Sequence, residues 1–447
     1  MKKHCRFISL ILVFYVAIFT PLNVISSKAY GEVTLYVTVE GAGIMDGTSW
    51  ENAAGDLKGL IDSLNENADI WVAKGEYSPG TGAEDTFALK KGLKIYGGFD
   101  GTESVLEERD IKKNAVYLTG SYMSRSVAVV TAHSGALSND TRLDGLTITG
   151  GANTKNGGGL YIETGSNPLI TECVFLNNTS FSAGGGIYNY YSSPFIQNCI
   201  ISGNNSIKDN GGGVSNYYSS PIFENCTFQN NKAVCGGGLF NHGSKIAVAD
   251  CTFSDNRSFN RGAGMSNYNS TGVVTSSVFN TNRGEEYGGG IYNEDSQLEI
   301  RNCYFMKNNA NPGNGGGMAN VNSSAEISDC TFTSNEAYYY GGGMANENSS
   351  LTISNCIYSG NKATRVGGGG IVNMESSITI ENSHFYNNTA TNGQDIYNQN
   401  SSPVIEGSVF YGGEITDLVK DEGGNSKTTL INCIVSSEDF TPLSSSF

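Results

Sequence analysis

The sequence predicts an all-β chain wound as a parallel β-helix, a solenoid of about 26 residues per turn. Three observations predict it. Gly184 to Asn204, GGGIYNYYSSPFIQNCIISGN, is restated 27 residues on as Gly211 to Asn231, GGGVSNYYSSPIFENCTFQNN. A cysteine or serine landmark recurs at steps of 25 to 27 residues, at Cys173, Cys199, Cys226, Cys251, Ser277, Cys303, Cys330, Cys356, Ser383, Ser408 and Cys433. Inside each copy the apolar pattern has period two, and the glycine triplets and asparagine pairs supply turn chemistry.

A unit this short cannot bury its own apolar face. It must stack on its neighbours, with equivalent residues lying about 4.8 Å apart. Propeller blades need about 40 residues, and leucine-rich repeats would carry a leucine consensus that is absent.

Two residues after each landmark stands an aromatic or isoleucine, from Phe175 to Phe410, with asparagine usually three later. The glycine-triplet openings before Ile or Leu, together with F-x-x-N as in Phe175 to Asn178, Phe228 to Asn231 and Phe332 to Asn335, resemble the repeats of polymorphic outer-membrane proteins. Those repeats belong to the pectin-lyase-like superfamily of right-handed parallel β-helices. The resemblance covers Leu143 to Val435 and implies right-handed winding. For function it implies adhesion, within a superfamily that also holds lyases, glycosidases and passive scaffolds. Such proteins commonly continue into a membrane-spanning barrel, for which this chain leaves no room, so release or another means of retention is expected.

Taken in order, residues 1–29 read as a secretory signal peptide. Lys2, Lys3 and Arg6 precede the apolar run Phe7 to Phe19, and a cut after Ala29 fits Ser27-Lys28-Ala29. The run is short for a membrane anchor. Cys5 lies ahead of the apolar core, which does not support a lipoprotein. Residues 30–142 read as an N-terminal cap and irregular first turns. There Leu57, Leu60, Ile61 and Leu64 share one helical face behind Asp56, and that helix is expected to cover the open end of the strands. Strands are expected at Ile70 to Ala73, Leu93 to Tyr96 and Val116 to Leu118. Gly97-Gly98 and Asp100-Gly101 read as turns, with Asp100 a calcium candidate. Residues 143–436 are the regular repeats, twelve turns counted from Leu146, making a rod of about 50 to 55 Å. Residues 437–447 are a polar tail.

The net charge of −16 argues against nucleic acid and anionic membranes, and mildly against acidic polysaccharides. Ten cysteines in an exported chain would ordinarily suggest disulfides. One cysteine per turn at one phase is instead a packing column of free thiols; Cys235 alone is out of phase. No Cys-x-x-Cys pair occurs, which leaves no expectation of zinc.

Asn189, Asn216, Asn241, Asn267, Asn293, Asn320, Asn346, Asn373 and Asn398 form a column read as structural, stacked amides in a tight turn. So does the asparagine five residues after each landmark. Outward positions carry Tyr188, Tyr190, Tyr191, Tyr217, Tyr218, Tyr268 and Tyr292, whose flat faces are candidates for stacking on sugars or anchoring a partner. Tyrosines packing on one another across turns is the plainer alternative. Lys232, Arg257 and Arg283 lie on consecutive rungs in turns that also hold Asp255, Arg261, Glu285 and Glu286. They are lyase candidates, a cation acting beside a uronate carboxylate, though a solvated mixed-charge face fits as well. Asp250 and Asp329 stand three rungs apart, too distant for a glycosidase pair.

The expected protein is therefore an exported, monomeric surface or extracellular β-helix that binds a polysaccharide or a cell-surface component. It has no expected cofactor, calcium aside. The competing classes are a carbohydrate-active enzyme, a lyase or glycoside hydrolase, and a passive envelope scaffold.

Overall fold

The computed structural model describes residues 33–65, 67–120, 126–133 and 137–436. The segment 1–29 expected to be a signal peptide and the tail 437–447 lie outside the described residues. Within them the chain is a parallel β-solenoid of about 14 turns, read from the 14-stranded sheet that runs its length.

One coil shows the plan. Ile187–Tyr190 belongs to a 13-stranded sheet, called here the tyrosine sheet. A corner at Tyr191 leads to Phe195–Gln197 in the 15-stranded long sheet, and a corner at Asn198 to Ile200–Ser202 in the 14-stranded phenylalanine sheet. Beyond Gly203, Asn205–Ser206 joins a nine-stranded short sheet. A loop and the Gly211 to Gly213 triplet then return the chain to Val214–Tyr217, one rung along. These pairings are parallel and in register, so the inward residues of this coil lie over their counterparts in the next.

The corners need the left-handed backbone region, which L-residues other than Asn, Asp and Gly enter at a cost. Asn198, Asn225 and Asn302 take it with φ of 53°, 51° and 52°. The triplets need glycine for a second reason. A Cβ on Gly213 would lie 2.5 Å from the Gly238 carbonyl oxygen of the next coil.

Inside, each column is nearly uniform. Phe228, Phe253 and Phe279 stack at 4.5 and 4.6 Å with planes within 4°, and the series runs on to Phe410. The asparagines five residues past the landmarks form a buried amide ladder. Asn204 Nδ2 donates to Asn231 Oδ1 at 3.0 Å and to the Phe175 carbonyl at 2.9 Å. The Asn189 column forms a second ladder, with Asn189 Nδ2 donating to Asn216 Oδ1 at 2.7 Å. That column stands within strands, not in the tight turn expected for it; the left-handed positions fall at the corners. A third ladder, unforeseen in the sequence, is of buried serines: Ser219 N donates to Ser244 Oγ at 3.1 Å, and Ser244 N to Ser270 Oγ at 3.1 Å.

The nine cysteines among the described residues are free. In their column Cys226 N donates to Cys251 Sγ at 3.4 Å, and the Cys226 thiol donates to the Glu224 carbonyl at 3.3 Å. Ser277 makes the same two contacts, accepting from Cys251 N at 3.1 Å and donating to the Thr275 carbonyl at 2.8 Å. A column of donors that are also acceptors is what the position requires, and either residue type meets it.

The N-terminal helix, Leu57–Ser63, is present, its N-cap Asp56 accepting from Gly59 N at 2.9 Å. Leu57 and Ile61 are buried in the end of the core, and Leu60 and Leu64 pack against it. The early strands run Ala68–Ala73, Leu93–Phe99 and Val116–Thr119. Gly97 and Gly98 are therefore strand residues and not the expected turn; at Gly97 a Cβ would lie 2.4 Å from the Gly145 carbonyl oxygen, so that strand needs glycine there. No helix among the described residues is long and apolar enough to cross a membrane.

Candidate functional site

The outer side of the tyrosine sheet and the corner that follows it carry the aromatic residues. Outward residues are the second and fourth of each strand. In the fourth column Glu163, Tyr190, Tyr217, His242, Tyr268 and Glu294 are paired rung to rung. The next residue is the corner, occupied by Tyr191 and Tyr218 and then by Gly243, Asn269 and Asp295.

The second column is covered. Tyr188 is only 6% exposed and Tyr292 only 2%, which corrects the expectation that both present open faces. The loops ahead of the glycine triplets fold over this column. Arg261 lies 5.2 Å over the Tyr292 ring and donates to its hydroxyl at 3.0 Å, and Tyr287 packs at 5.8 Å. Tyr188 is enclosed between Tyr161 and Tyr217 at 5.2 and 5.7 Å.

The remaining aromatics reach the surface. Tyr191 is 53% exposed, Tyr218 47% and Tyr268 38%, while Tyr190 and Tyr217 are half-buried. Tyr191 and Tyr218 stack at 5.1 Å with planes 15° apart, and Tyr190 meets Tyr191 edge-on at 4.6 Å. Further along, His242 stacks on Tyr268 at 5.3 Å and lies 3.3 Å from the Tyr218 hydroxyl. Ring faces are thus largely turned to one another along the rod. Outward the cluster offers ring edges and phenol hydroxyls, a different chemistry from the open faces expected.

Burial pushes Tyr217 up to about 12, with Asp209 adding to it, and burial lowers His242 below its usual value. The Tyr217 phenol therefore stays protonated and the His242 imidazole neutral near pH 7.

Lys232, Arg257 and Arg283 do stand on consecutive rungs, paired in register, but in two-residue strands of the short sheet instead of turns. Lys232 and Arg257 lie over the Phe259 ring at 4.8 and 5.2 Å, and Arg257 pairs with Glu285 at 3.2 Å. Arg261 is held by Glu294 at 2.6 Å. Asp255 accepts from the Thr281 hydroxyl at 2.7 Å. Asp250 and Asp329 are corner residues with φ of 54°, and Asp100 is ion-paired with Lys74. Among the described residues no three His, Cys, Asp or Glu side chains converge as a metal site would need.

The family described as "Right handed beta helix region" matches residues 109–305 and 289–441, well over half of the chain. The chain belongs to that family. Three solved structures show similarity to this chain at 11% identity. The A-module of the Azotobacter vinelandii mannuronan C-5 epimerase AlgE6 covers 86% of this chain and 94% of its own, with a TM-score of 0.41. The pectate lyase Pel9A covers 88% and 79%, at 0.25. The Streptococcus pneumoniae surface protein and adhesin PfbA covers 90% and 97%, at 0.30. At such identity none of these likenesses assigns an activity or a residue role. Among curated proteins no sequence match was found.

Proposed function

We propose that this is an exported surface or extracellular β-helix, with repeats of the polymorphic outer-membrane type, that binds a glycan or cell-surface partner through its exposed tyrosine corner. The observation that carries the reading is the backbone at Tyr191 and Tyr218. Both have positive φ, 47° and 51°, at a corner where the same column elsewhere uses Gly243, Asn269 and Asn322. A bulky residue in that region is an outlier, and such outliers cluster at functional sites. Two of them on adjacent rungs, half-exposed and stacked, present hydroxyls and ring edges at a corner where glycine would relieve the backbone, although Thr164 and Glu375 take the same conformation in that column.

The test is the double variant Tyr191→Gly with Tyr218→Gly, screened on a glycan array and on whole cells beside the unaltered protein. Loss of binding with little change in thermal unfolding is expected. Unchanged binding to every ligand the parent recognises would remove the tyrosine corner from the function.

A further inference from the structure

South of the tyrosines, toward the C-terminal end, the same corner opens into a groove of about 640 Å3. One wall is the corner column, Asn269, Asp295, Asn322 and Asn348, each with φ of 48° or 49°. The other wall is the residue two further along each coil, as Ser324 and Ser350 are, at the exposed start of the long-sheet strands. The backbone of the buried serine ladder is the floor.

This corner differs from part of the next one along the coil in what its side chains do. At the corner between the long and phenylalanine sheets the equivalent side chains bond one another. Asn225 Nδ2 donates to Asn198 Oδ1 at 2.8 Å, and Asn198 Nδ2 to Glu172 Oε1 at 2.8 Å. In the groove the Asn269, Asp295, Asn322 and Asn348 side chains are exposed, and among the described residues none is tied to the protein by a hydrogen bond. An amide on one side and a hydroxyl on the other therefore face solvent on the Asn269, Asn322 and Asn348 rungs, with Asp295 and Gln297 on the rung between the first two, and successive rungs lie about 4.8 Å apart.

We infer that this groove is an extended binding track for a neutral, linear polysaccharide lying along the rod axis, continuous with the tyrosine corner. The inference rests on the tyrosine reading and adds to it the class of ligand and the direction in which it runs. A regular row of amide and hydroxyl groups matches a polymer with hydroxyls at a regular rise, where each added sugar gains its own hydrogen bonds. Charge selects against a polyanion. Along both walls from Tyr191 to Glu375 the described residues include two carboxylates, Asp295 and Glu375, beyond the first coils, and Lys245 as their one cation. An extended peptide fits less well, since strand addition needs free backbone groups. Here Asn269 N and Asn322 N are already given to the Glu294 and Glu347 carbonyls at 3.0 Å.

The experiment is titration calorimetry of the purified chain with neutral β-linked glucan oligosaccharides, from disaccharide to hexasaccharide, and with an oligogalacturonide of the greater length. The hexasaccharide is expected to bind at least about tenfold more tightly than the disaccharide, and the acidic oligomer more weakly than either. Asn322→Gly with Asn348→Gly keeps the corner backbone relaxed and removes two amides. It should erase most of the gain with length while leaving the disaccharide unaffected. Tyr191→Gly with Tyr218→Gly should weaken both. If the asparagine pair variant keeps the full gain, the track is overturned and the tyrosine reading stands. If the tyrosine pair variant binds normally but the asparagine pair does not, the tyrosine reading falls. No binding of the neutral series, or preference for the acidic oligomer, overturns the ligand class.

Discussion

Asp395 is 1% exposed, and it stands where the preceding coils carry the third glycine of the triplet, as at Gly343 and Gly370. The buried amide ladder explains its presence. Each asparagine hands its Nδ2 to the Oδ1 one coil on, but the coil after Asn388 has Gly413 at that place. Asp395 supplies the missing acceptor from the same coil, its Oδ1 taking the Asn388 Nδ2 proton at 2.8 Å. Its Oδ2 has no hydrogen-bond partner among the described residues. Burial raises this carboxyl from 3.8 to about 7, the Asn388 hydrogen bond opposing it. Between those values the folded chain holds a proton that the unfolded chain has released, so stability falls as pH rises from about 4 to about 7 and is level above. A rise of about three pKa units corresponds to about 4 kcal/mol lost by pH 8. Asp395→Asn keeps the acceptor and cannot charge. The variant should be more stable by about that amount near pH 8, with the difference mostly gone near pH 4. In a solenoid the effect is local, so hydrogen–deuterium exchange across residues 371–422 from pH 4 to pH 8 is the assay, with urea midpoints alongside. Parallel pH profiles for the two proteins would refute a buried, uncharged Asp395.

Asn256→Ala removes four hydrogen bonds of the ladder, two from Asn231 at 3.1 and 3.0 Å and two to Phe228 and Asn282 at 2.9 and 3.0 Å. It strands the buried Asn231 donors, and urea unfolding should show a loss of about 3 kcal/mol; a loss below about 1 would mean water fills the gap. Cys303→Ser should leave stability within about 1 kcal/mol, because Ser277 already meets the same demands one coil earlier. Cys173, Cys199 and Cys226 are at most 1% exposed, so all three should resist alkylation in native buffer; mass spectrometry showing them labelled, or cross-linked in pairs, would contradict the free-thiol column.

Much of this fold was legible because its columns are homogeneous. Phe175 to Phe410, the landmark cysteines and the two asparagine series each repeat at one phase, and one phase means one physical environment in a solenoid. The short sheet was not legible, since two-residue strands such as Thr179–Ser180 carry no period. The serine ladder of Ser192, Ser219 and Ser244 was hidden by chemistry: a serine pair after tyrosines reads as loop, and nothing local says that one of the two is buried. Tyr188 misled for a different reason. It does point out of its sheet, but the rings of Tyr161 and Tyr217 on the adjacent rungs enclose it. The groove went unseen because it is a property of two columns side by side, and the asparagines of one corner look the same in sequence as those of another that bond each other.

The placement of Tyr191 and Tyr218 can be weighed against what the fold gains from them. Holding a bulky L-residue in the left-handed region costs roughly 1 to 2 kcal/mol. A stacked aromatic pair contributes about 0.5 to 1.5 kcal/mol, shared between the two residues. Glycine at either position would relieve the strain and lose about 0.5 to 1 kcal/mol to chain entropy. Summed over the pair these terms nearly cancel, so the tyrosines bring the corner no net stability that Gly243, in the same column, does not also provide. Asn269 and Asn322 reach the same backbone at lower cost. A position that is neutral for folding, and filled twice in succession by the costlier residue with its hydroxyl at the surface, points to selection on what the side chain meets outside the protein. The cancellation itself is measurable: Tyr191→Gly with Tyr218→Gly should shift the unfolding free energy by less than about 1 kcal/mol, and a loss several times larger would return these residues to a structural role.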